Sequence, residues 1–255
     1  MDLMTILGLV VGTGAIYFVM KEGGIVSLLF NRNAAVLVFG GTFACMLISY
    51  PFKVLKQAVK VLRFVVFPSK RYAPTEMIET IVRLAERAKR TGIGSLMDET
   101  HRLRDRFLVD GIQMLVDNID PDIVRDNLEK DIFFTRRRHN QVSGVFKTMG
   151  TYAPIFGLLG TLIGVVQVLR NLTDPKSMGA SMAIAVTTTF YGIFATNFIF
   201  LPIAAKLTVQ SEEELLIKEV VIEGIISIQK GEIPLIVRKK LQAFLSYKLR
   251  HARPV

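Results

Sequence analysis

Thr161, the run Thr187, Thr188 and Thr189, and then Thr196 and Asn197 carry hydroxyl and amide groups into two stretches free of Asp, Glu, Lys and Arg. A hydroxyl donates one hydrogen bond, accepts others and does not titrate near neutral pH. The set can therefore offer uncharged oxygens to a hard cation, or return hydrogen bonds to its own backbone, but it supplies no acid, base or activated nucleophile. Pro154 and Pro202 stand in the same stretches, and each frees the carbonyl four residues back, that of Gly150 and that of Phe198. A carbonyl freed inside a membrane is tolerated where neighbouring groups or water satisfy it. Intramembrane carboxylates and amines mark ion paths because they are too costly to keep without a function. None is present here, so if ions cross, the titrating or charged group must come from another polypeptide. Enzymatic chemistry finds no support: GxxxxGK, GxSxG and HExxH are absent, and His101, His139 and His251 are dispersed. The single Cys45 rules out a disulfide framework and a thiolate metal site, so no cofactor and no tightly held metal are expected.

The elements that must position these groups follow from hydropathy. Half the chain is apolar (51%) while 21% is charged, and the mean hydropathy is +0.40. That combination describes a chain divided between membrane and water. Charge-free runs long enough to span about 30 Å of hydrocarbon are Leu3 to Met20, Ala34 to Phe52, Met149 to Leu169 and Ser177 to Ala205. The first lacks the basic n-region and small-residue cleavage site of a signal peptide and is read as a retained helix. Of the 32 Lys and Arg residues, 19 fall in residues 53–147, 9 from Lys206 onward, and 4 in the short connections. The positive-inside rule then places the large loop, the tail and both termini in the cytoplasm. This also explains the net charge of +10 without nucleic acid, with contact to membrane lipid phosphates or an acidic partner as the alternative. The expected organisation is transmembrane helices 1 and 2 in residues 1–52, a cytoplasmic helical domain in 53–147, transmembrane helices 3 and 4 in 148–206, and cytoplasmic helices in 207–255. Thr75 is expected to cap a helix with the apolar stripe Ile78, Ile81, Val82 and Ala85, stopped at Gly92 and Gly94. Asp120 and Pro121 read as N-cap and first helical residue of a helix ending in the charged run Thr135 to His139 and feeding into span three. A last helix is expected from Pro234 through Leu249. Gly160 with Gly164, and Gly8 with Gly12, have the spacing of helix-packing seams, in part between subunits. If the loop Arg170 to Lys176 marks one surface, Thr161 and Thr188 lie roughly 14 and 18 Å deep at 1.5 Å per residue, near the midplane.

With these residues in view, the stretch VFKTMGTYAPIFGLLGTLIGVVQVLRNLTDPKSMGASMAIAVTTTFYGIFATNFIFLPIAAKL, preceded by IDPDIVRDNLEKDI and followed by EGIISIQKGEIPLIVRKKL, resembles the MotA/PomA family of bacterial flagellar stator A-subunits. The likeness runs essentially end to end and includes the Gly40-Gly41-Thr42 step. It is more distantly similar to the ExbB/TolQ energisers.

The resemblance implies an all-α inner-membrane protein, forming a homopentamer around two copies of a MotB/PomB-type B-subunit whose transmembrane Asp carries the ion. It implies a rotor partner, the switch-complex protein FliG. By motif match, Pro154 and Pro202 fall on the family's two prolines of conformational coupling, and Thr161, Thr188 and Thr189 on threonines associated with transient sodium coordination; Thr187 completes the run. The rotor-facing pattern of a basic pair, a glycine-containing segment and acids is read as Lys89 and Arg90, Gly92 to Met97, then Asp98 and Glu99, with Met97 where one register places the first acid. The number of hydroxyls favours sodium over protons, because sodium must replace lost water oxygens whereas a proton needs only an acid and a water path. The alternatives are an ExbB/TolQ-type energiser of outer-membrane transport and, from another class, a membrane-anchored scaffold with a basic cytoplasmic domain.

Overall fold

The computed structural model describes residues 3–66, 73–170 and 172–250. In chain order the elements are α1 (Leu3–Glu22), a 3-10 turn, α2 (Arg32–Ala35), a π turn (Val36–Gly40), α3 (Gly41–Ser49), α4 (Phe52–Val66), α5 (Pro74–Thr91), a second 3-10 turn, α6 (Met97–Thr100), α7 (Arg106–Val116) and α8 (Pro121–Arg170). There follow α9 (Pro175–Phe194), a second π turn (Ala195–Phe200), α10 (Leu201–Gln229), α11 (Pro234–Gln242) and α12 (Tyr247–Arg250). All regular structure among the described residues is helical. Four stretches are long and apolar enough to cross a membrane: Met4–Glu22, Arg32–Ser49, and segments of the helices over Pro121–Arg170 and Ser177–Gln229. The protein is thus an all-α membrane protein with four spans and a helical domain drawn from the loop between spans two and three and from the tail. It divides into two compact units, Met1–Ser69 with His139–Thr208, and Lys70–Arg138 with Val209–Val255.

In the first unit, α1 is apolar all round and none of its most hydropathic window is buried within the chain, as for a helix solvated by lipid. Asn31 caps span two by accepting from the N–H groups of Asn33 and Ala34. That span ends at Ser49, not Phe52: Tyr50 adopts an extended backbone before Pro51, which disfavours a helical predecessor, and Phe52 opens α4. Met46, Leu55, Ala58, Val142, Val145, Phe146, Ala204 and Leu207 form one buried cluster, and Val38, Ala153, Ala195 and Phe200 another. Three of the four paired glycines pack inside the chain, while a Cβ on Gly8 would meet nothing within 4 Å. A Cβ on Gly160 would meet Thr188, one on Gly164 would meet Ala185, and one on Gly12 would meet the Phe198 ring.

The second unit has its own core, in which Ile78, Ile81, Leu84, Leu108, Ile112, Leu115, Val220, Ile225 and Leu241 are buried together. Its α5 carries the expected stripe, but Thr75 is not the cap. Pro74, with fixed φ and no N–H to satisfy, occupies the first helical position, so Ala73 stands at the cap. Gly92 ends α5 with φ +85°, a left-handed conformation that a β-carbon would strain. Asp120 accepts from Asp122 N–H at 2.9 Å and Pro121 opens α8, as its sequence requires. That helix does not stop at Thr135 to His139 but, as expected, feeds straight into span three. Nothing there breaks it, and Arg138 donates to Thr135 Oγ1 at 2.8 Å. The helix opened by Pro234 ends at Gln242 rather than reaching Leu249, because Ala243, Phe244 and Leu245 turn through i→i−3 bonds beside the buried Leu245, and the separate turn α12 follows. Ion pairs Arg125–Glu223, Arg136–Glu219 and Lys218–Asp131 join α8 to α10. Each is partly exposed and individually worth about 0–1 kcal/mol. A hydrogen bond from Lys240 holds the Glu232 carboxyl below the usual carboxylate range.

Candidate functional site

The four-span unit brings α8 and α9 together along a seam of small residues. A Cβ on Gly157 would stand 2.9 Å from the Thr188 carbonyl oxygen, and one on Gly192 would stand 2.6 Å from that of Ala153. Backbone therefore lies almost against backbone, and the polar atoms of the seam converge. Thr161 Oγ1 donates to Ala185 O at 3.1 Å or Gly157 O at 3.2 Å, and it shares a short hydrogen bond with Thr189 Oγ1. Thr189 Oγ1 in turn lies 3.4 Å from Ala185 O and 3.5 Å from Gly157 O. Two hydroxyls and two carbonyls thus form one cluster drawn from both spans. In octahedral coordination, oxygens at about 2.4 Å from a hard cation stand about 3.4 Å apart. The hydroxyl-to-carbonyl separations in the seam are close to that spacing, whereas the two hydroxyls, hydrogen-bonded to one another, stand closer and would have to part to ligate a cation together.

The sequence-assigned threonines divide on this geometry. Thr161 and Thr189 meet. Thr188 is buried against Gly160, and its hydroxyl reaches the same Ala185 carbonyl at 2.9 Å. Thr187 points elsewhere, bonding to Ala183 O at 2.7 Å. Successive helical residues step by 100°, so three consecutive threonines cannot all face one partner helix.

A further hydrogen bond between the two spans links the two proline sites. Gly150 O, the acceptor that Pro154 leaves without its helical donor, receives the buried Thr196 hydroxyl at 3.0 Å from the other span. Thr196 belongs to the π turn Ala195–Phe200, and its own carbonyl accepts the Leu201 N–H immediately before Pro202. Such a turn lengthens the acceptor step from four residues to five. Thr196 therefore connects the two proline sites, one through its side chain and the other through its main chain. In the sequence it is one more membrane hydroxyl, with no role assigned. The signal is its place about one and two-thirds turns before Pro202.

The other assigned face lies in the second unit. Lys89 and Arg90 are exposed in the last turn of α5. Asp98 is exposed and 3.6 Å from Arg87, whereas Glu99 is largely covered and paired with Arg87. An open cavity of about 550 Å³ beside them is lined by Glu76, Glu79, Arg83, Glu99 and Arg102 among others. Of the four rotor-facing residues assigned from the sequence, Lys89, Arg90 and Asp98 present their charge outward, and Glu99 spends its charge within the chain.

Four spans and a close small-residue seam in which uncharged oxygens converge define a multi-pass membrane subunit with a polar cluster between two of its spans. The sequence pattern of the MotA/TolQ/ExbB proton channel family matches residues 99–220. Over 96% of both chains the protein is 35% identical to the chemotaxis protein PomA of Vibrio alginolyticus. It is 36% identical to motility protein A of Borreliella burgdorferi over 98% of this chain and 96% of that one. In fold it resembles the MotAB structure of C. jejuni with a TM-score of 0.91, at 27% identity and full coverage of both chains. The flagellar MotAB stator complex of Bacillus subtilis gives 0.90 at 28% identity, covering 98% of this chain and 100% of that one. The chain belongs to the MotA/TolQ/ExbB family, within its MotA/PomA branch of flagellar stator A-subunits.

Proposed function

We propose that this A-subunit forms a homopentamer in the bacterial inner membrane around a MotB/PomB-type B-subunit and couples sodium influx to torque on FliG, with no enzymatic step and no bound cofactor. In this reading residues 53–147 and 207–255 lie in the cytoplasm with both termini, and the sodium ion passes the Thr161 and Thr189 cluster. The observation that carries the reading is the convergence of those two hydroxyls with the Gly157 and Ala185 carbonyls in a seam with no charge of its own. The partner's carboxylate supplies the missing charge, and the cluster supplies oxygens in place of lost water. A scaffold that binds nucleic acid through its basic domain is less well supported, since Arg87, Arg125, Arg136, Lys218, Arg238 and Lys240 are paired with carboxylates of the same chain. The match to motility proteins along the whole chain favours the flagellar role over an outer-membrane energiser.

The test is Thr161→Ala and Thr189→Ala, singly, with swimming speed measured against sodium concentration. Losing one oxygen contact to a charged group costs about 1.5–3 kcal/mol, so half-maximal speed should require about ten- to a hundredfold more sodium. The complex with the B-subunit should still copurify. Unchanged speed at low sodium in both variants would remove the sodium assignment in favour of protons.

For the rotor face, Lys89→Glu with Arg90→Glu should weaken motility while leaving membrane assembly intact. Both side chains are exposed at a helix end, so the folding penalty should stay within about 0.5 kcal/mol. Long-range steering between charged faces should be reversed. A charge change on the rotor that restores swimming would identify the pairing, and full motility of the double variant would relocate the contact.

A further inference from the structure

We infer that α4 lies in the membrane–water interface and binds anionic phospholipid headgroups through Lys53, Lys56 and Lys60 while seating Phe52 and Val59 among the acyl chains. The inference requires only the four-span fold and is independent of the proposed ion and rotor.

Placement comes first. Only Tyr50 and Pro51 separate α4 from the end of span two, and the three Cα steps from Ser49 to Phe52 cover no more than about 11 Å. The headgroup layer on each side of the hydrocarbon is about 5–8 Å deep, so α4 begins within that layer or directly beside it. The inward face of α4 agrees. Leu55 and Ala58 are buried against Met46 in the last turns of span two, Val142, Val145 and Phe146 beside the Lys147 charge that precedes the apolar stretch of α8, and Ala204 and Leu207 on either side of Lys206. All three neighbouring helices contribute the residues at which their charge-free stretches end.

The outward face has the pattern of an interfacial helix. At 100° per residue, Phe52 and Val59 share an edge adjoining the buried face, and they are 79% and 69% exposed. Lys56, Lys60 and Lys53 follow within an arc of about 60° beyond that edge. All three are exposed, and α4 contains no acidic residue. No ion pair to these lysines is seen among the described residues. Apolar side chains bordered by lysines, whose aliphatic stems let the ammonium groups rise towards phosphate, match a bilayer of anionic lipid. Nucleic acid would match the charge but leave Phe52 and Val59 in water.

The protein lacks tryptophan, so Phe52→Trp installs a single fluorescent reporter at an exposed site. The full-length chain carrying it is reconstituted in vesicles of phosphatidylcholine with phosphatidylglycerol, with and without brominated acyl chains. Blue-shifted emission quenched by the brominated lipid is expected. In parallel, the chain without the reporter is purified from the same mixture and the retained phosphatidylglycerol is measured relative to phosphatidylcholine. Each lysine near an anionic surface should contribute about fivefold to that ratio. The triple variant Lys53→Gln, Lys56→Gln and Lys60→Gln should lose most of the enrichment, and the corresponding triple Lys→Arg variant should keep it. The single Lys→Gln variants give the same reading stepwise if the triple variant inserts poorly. Emission indifferent to brominated lipid would overturn the inference, including the case in which a second copy shields Phe52→Trp. An unchanged lipid ratio in the Gln variants would overturn it as well.

Discussion

Replacing Gly192 by Ala should abolish motility and markedly lower the thermal stability of the purified complex, although it adds a single methyl group. That carbon would stand 2.6 Å from the Ala153 carbonyl oxygen, 3.1 Å from Pro154 Cα and 3.2 Å from Gly157 Cα. The opposing atoms are all main chain and cannot rotate away, so α8 and α9 would have to separate. Overpacking a well-filled interior costs about 1–3 kcal/mol, and a site with no yielding side chain belongs at the upper end. Separation would also pull apart the hydrogen bonds that gather Thr161 and Thr189. Gly14→Ala is the matched comparison, because a Cβ there meets nothing within 4 Å. In a helix that exchange is neutral or gains about 0.5–1 kcal/mol. Thermal unfolding in detergent and swimming assays on both variants decide the matter. Equal behaviour of the two would show that the seam is not held by backbone contact.

Thr196→Val should slow swimming severely while leaving the complex assembled. The valine keeps the side-chain volume but removes the donor to Gly150 O, leaving that carbonyl unsatisfied in a buried site. Interhelical hydrogen bonds in membranes average about 0.6 kcal/mol and reach about 1.7 kcal/mol, too little to unfold a four-span protein. The functional loss should be larger than the stability loss if the bond joins two proline sites that act in conformational coupling, the role the family resemblance implies for Pro154 and Pro202. Thr196→Ser keeps the hydroxyl and should retain most of the speed. If the valine and serine variants swim alike, the bond is a passive repair of the Pro154 kink.

Much of this arrangement was legible in the sequence because it depends on coarse patterns. Charge-free runs of membrane length give spans, Asp120 with Pro121 opens a helix, and an apolar stripe from Ile78 to Ala85 faces a core. The juxtaposition of Thr161 with the threonine run followed from counting helical rise on both sides of a short loop. What was hidden depends on finer steps. Which of Thr187, Thr188 and Thr189 faces the partner span is a matter of 100° rotations, and no feature of the run itself selects one. The two π turns differ from α-helix by one residue of hydrogen-bond spacing, and Val36–Gly40 and Ala195–Phe200 carry no composition that announces it. The charge of Glu99 looked available in the sequence, but its partner Arg87 lies 12 residues back and becomes near only once the Gly92 turn is made. Thr75 carries a preferred cap side chain, but Pro74 beside it takes the first helical position and moves the cap to Ala73.

The Ala185 carbonyl has too many suitors. Hydroxyls of Thr161, Thr188 and Thr189 all lie 2.9–3.4 Å from it, and the α-helix already assigns it the Thr189 N–H. A carbonyl oxygen has two lone pairs, so only some of the three hydroxyl protons can point at it at any moment. Those turned away have other acceptors within reach, since Thr161 and Thr189 each lie near Gly157 O and near one another. The proton positions of the seam are therefore degenerate: several patterns of similar energy differ only by rotation about a carbon–oxygen bond. Side-chain rotations of this kind are far faster than the movement of a helix. On the proposed ion path, a cation at the seam would meet hydroxyl dipoles that turn by side-chain rotation alone.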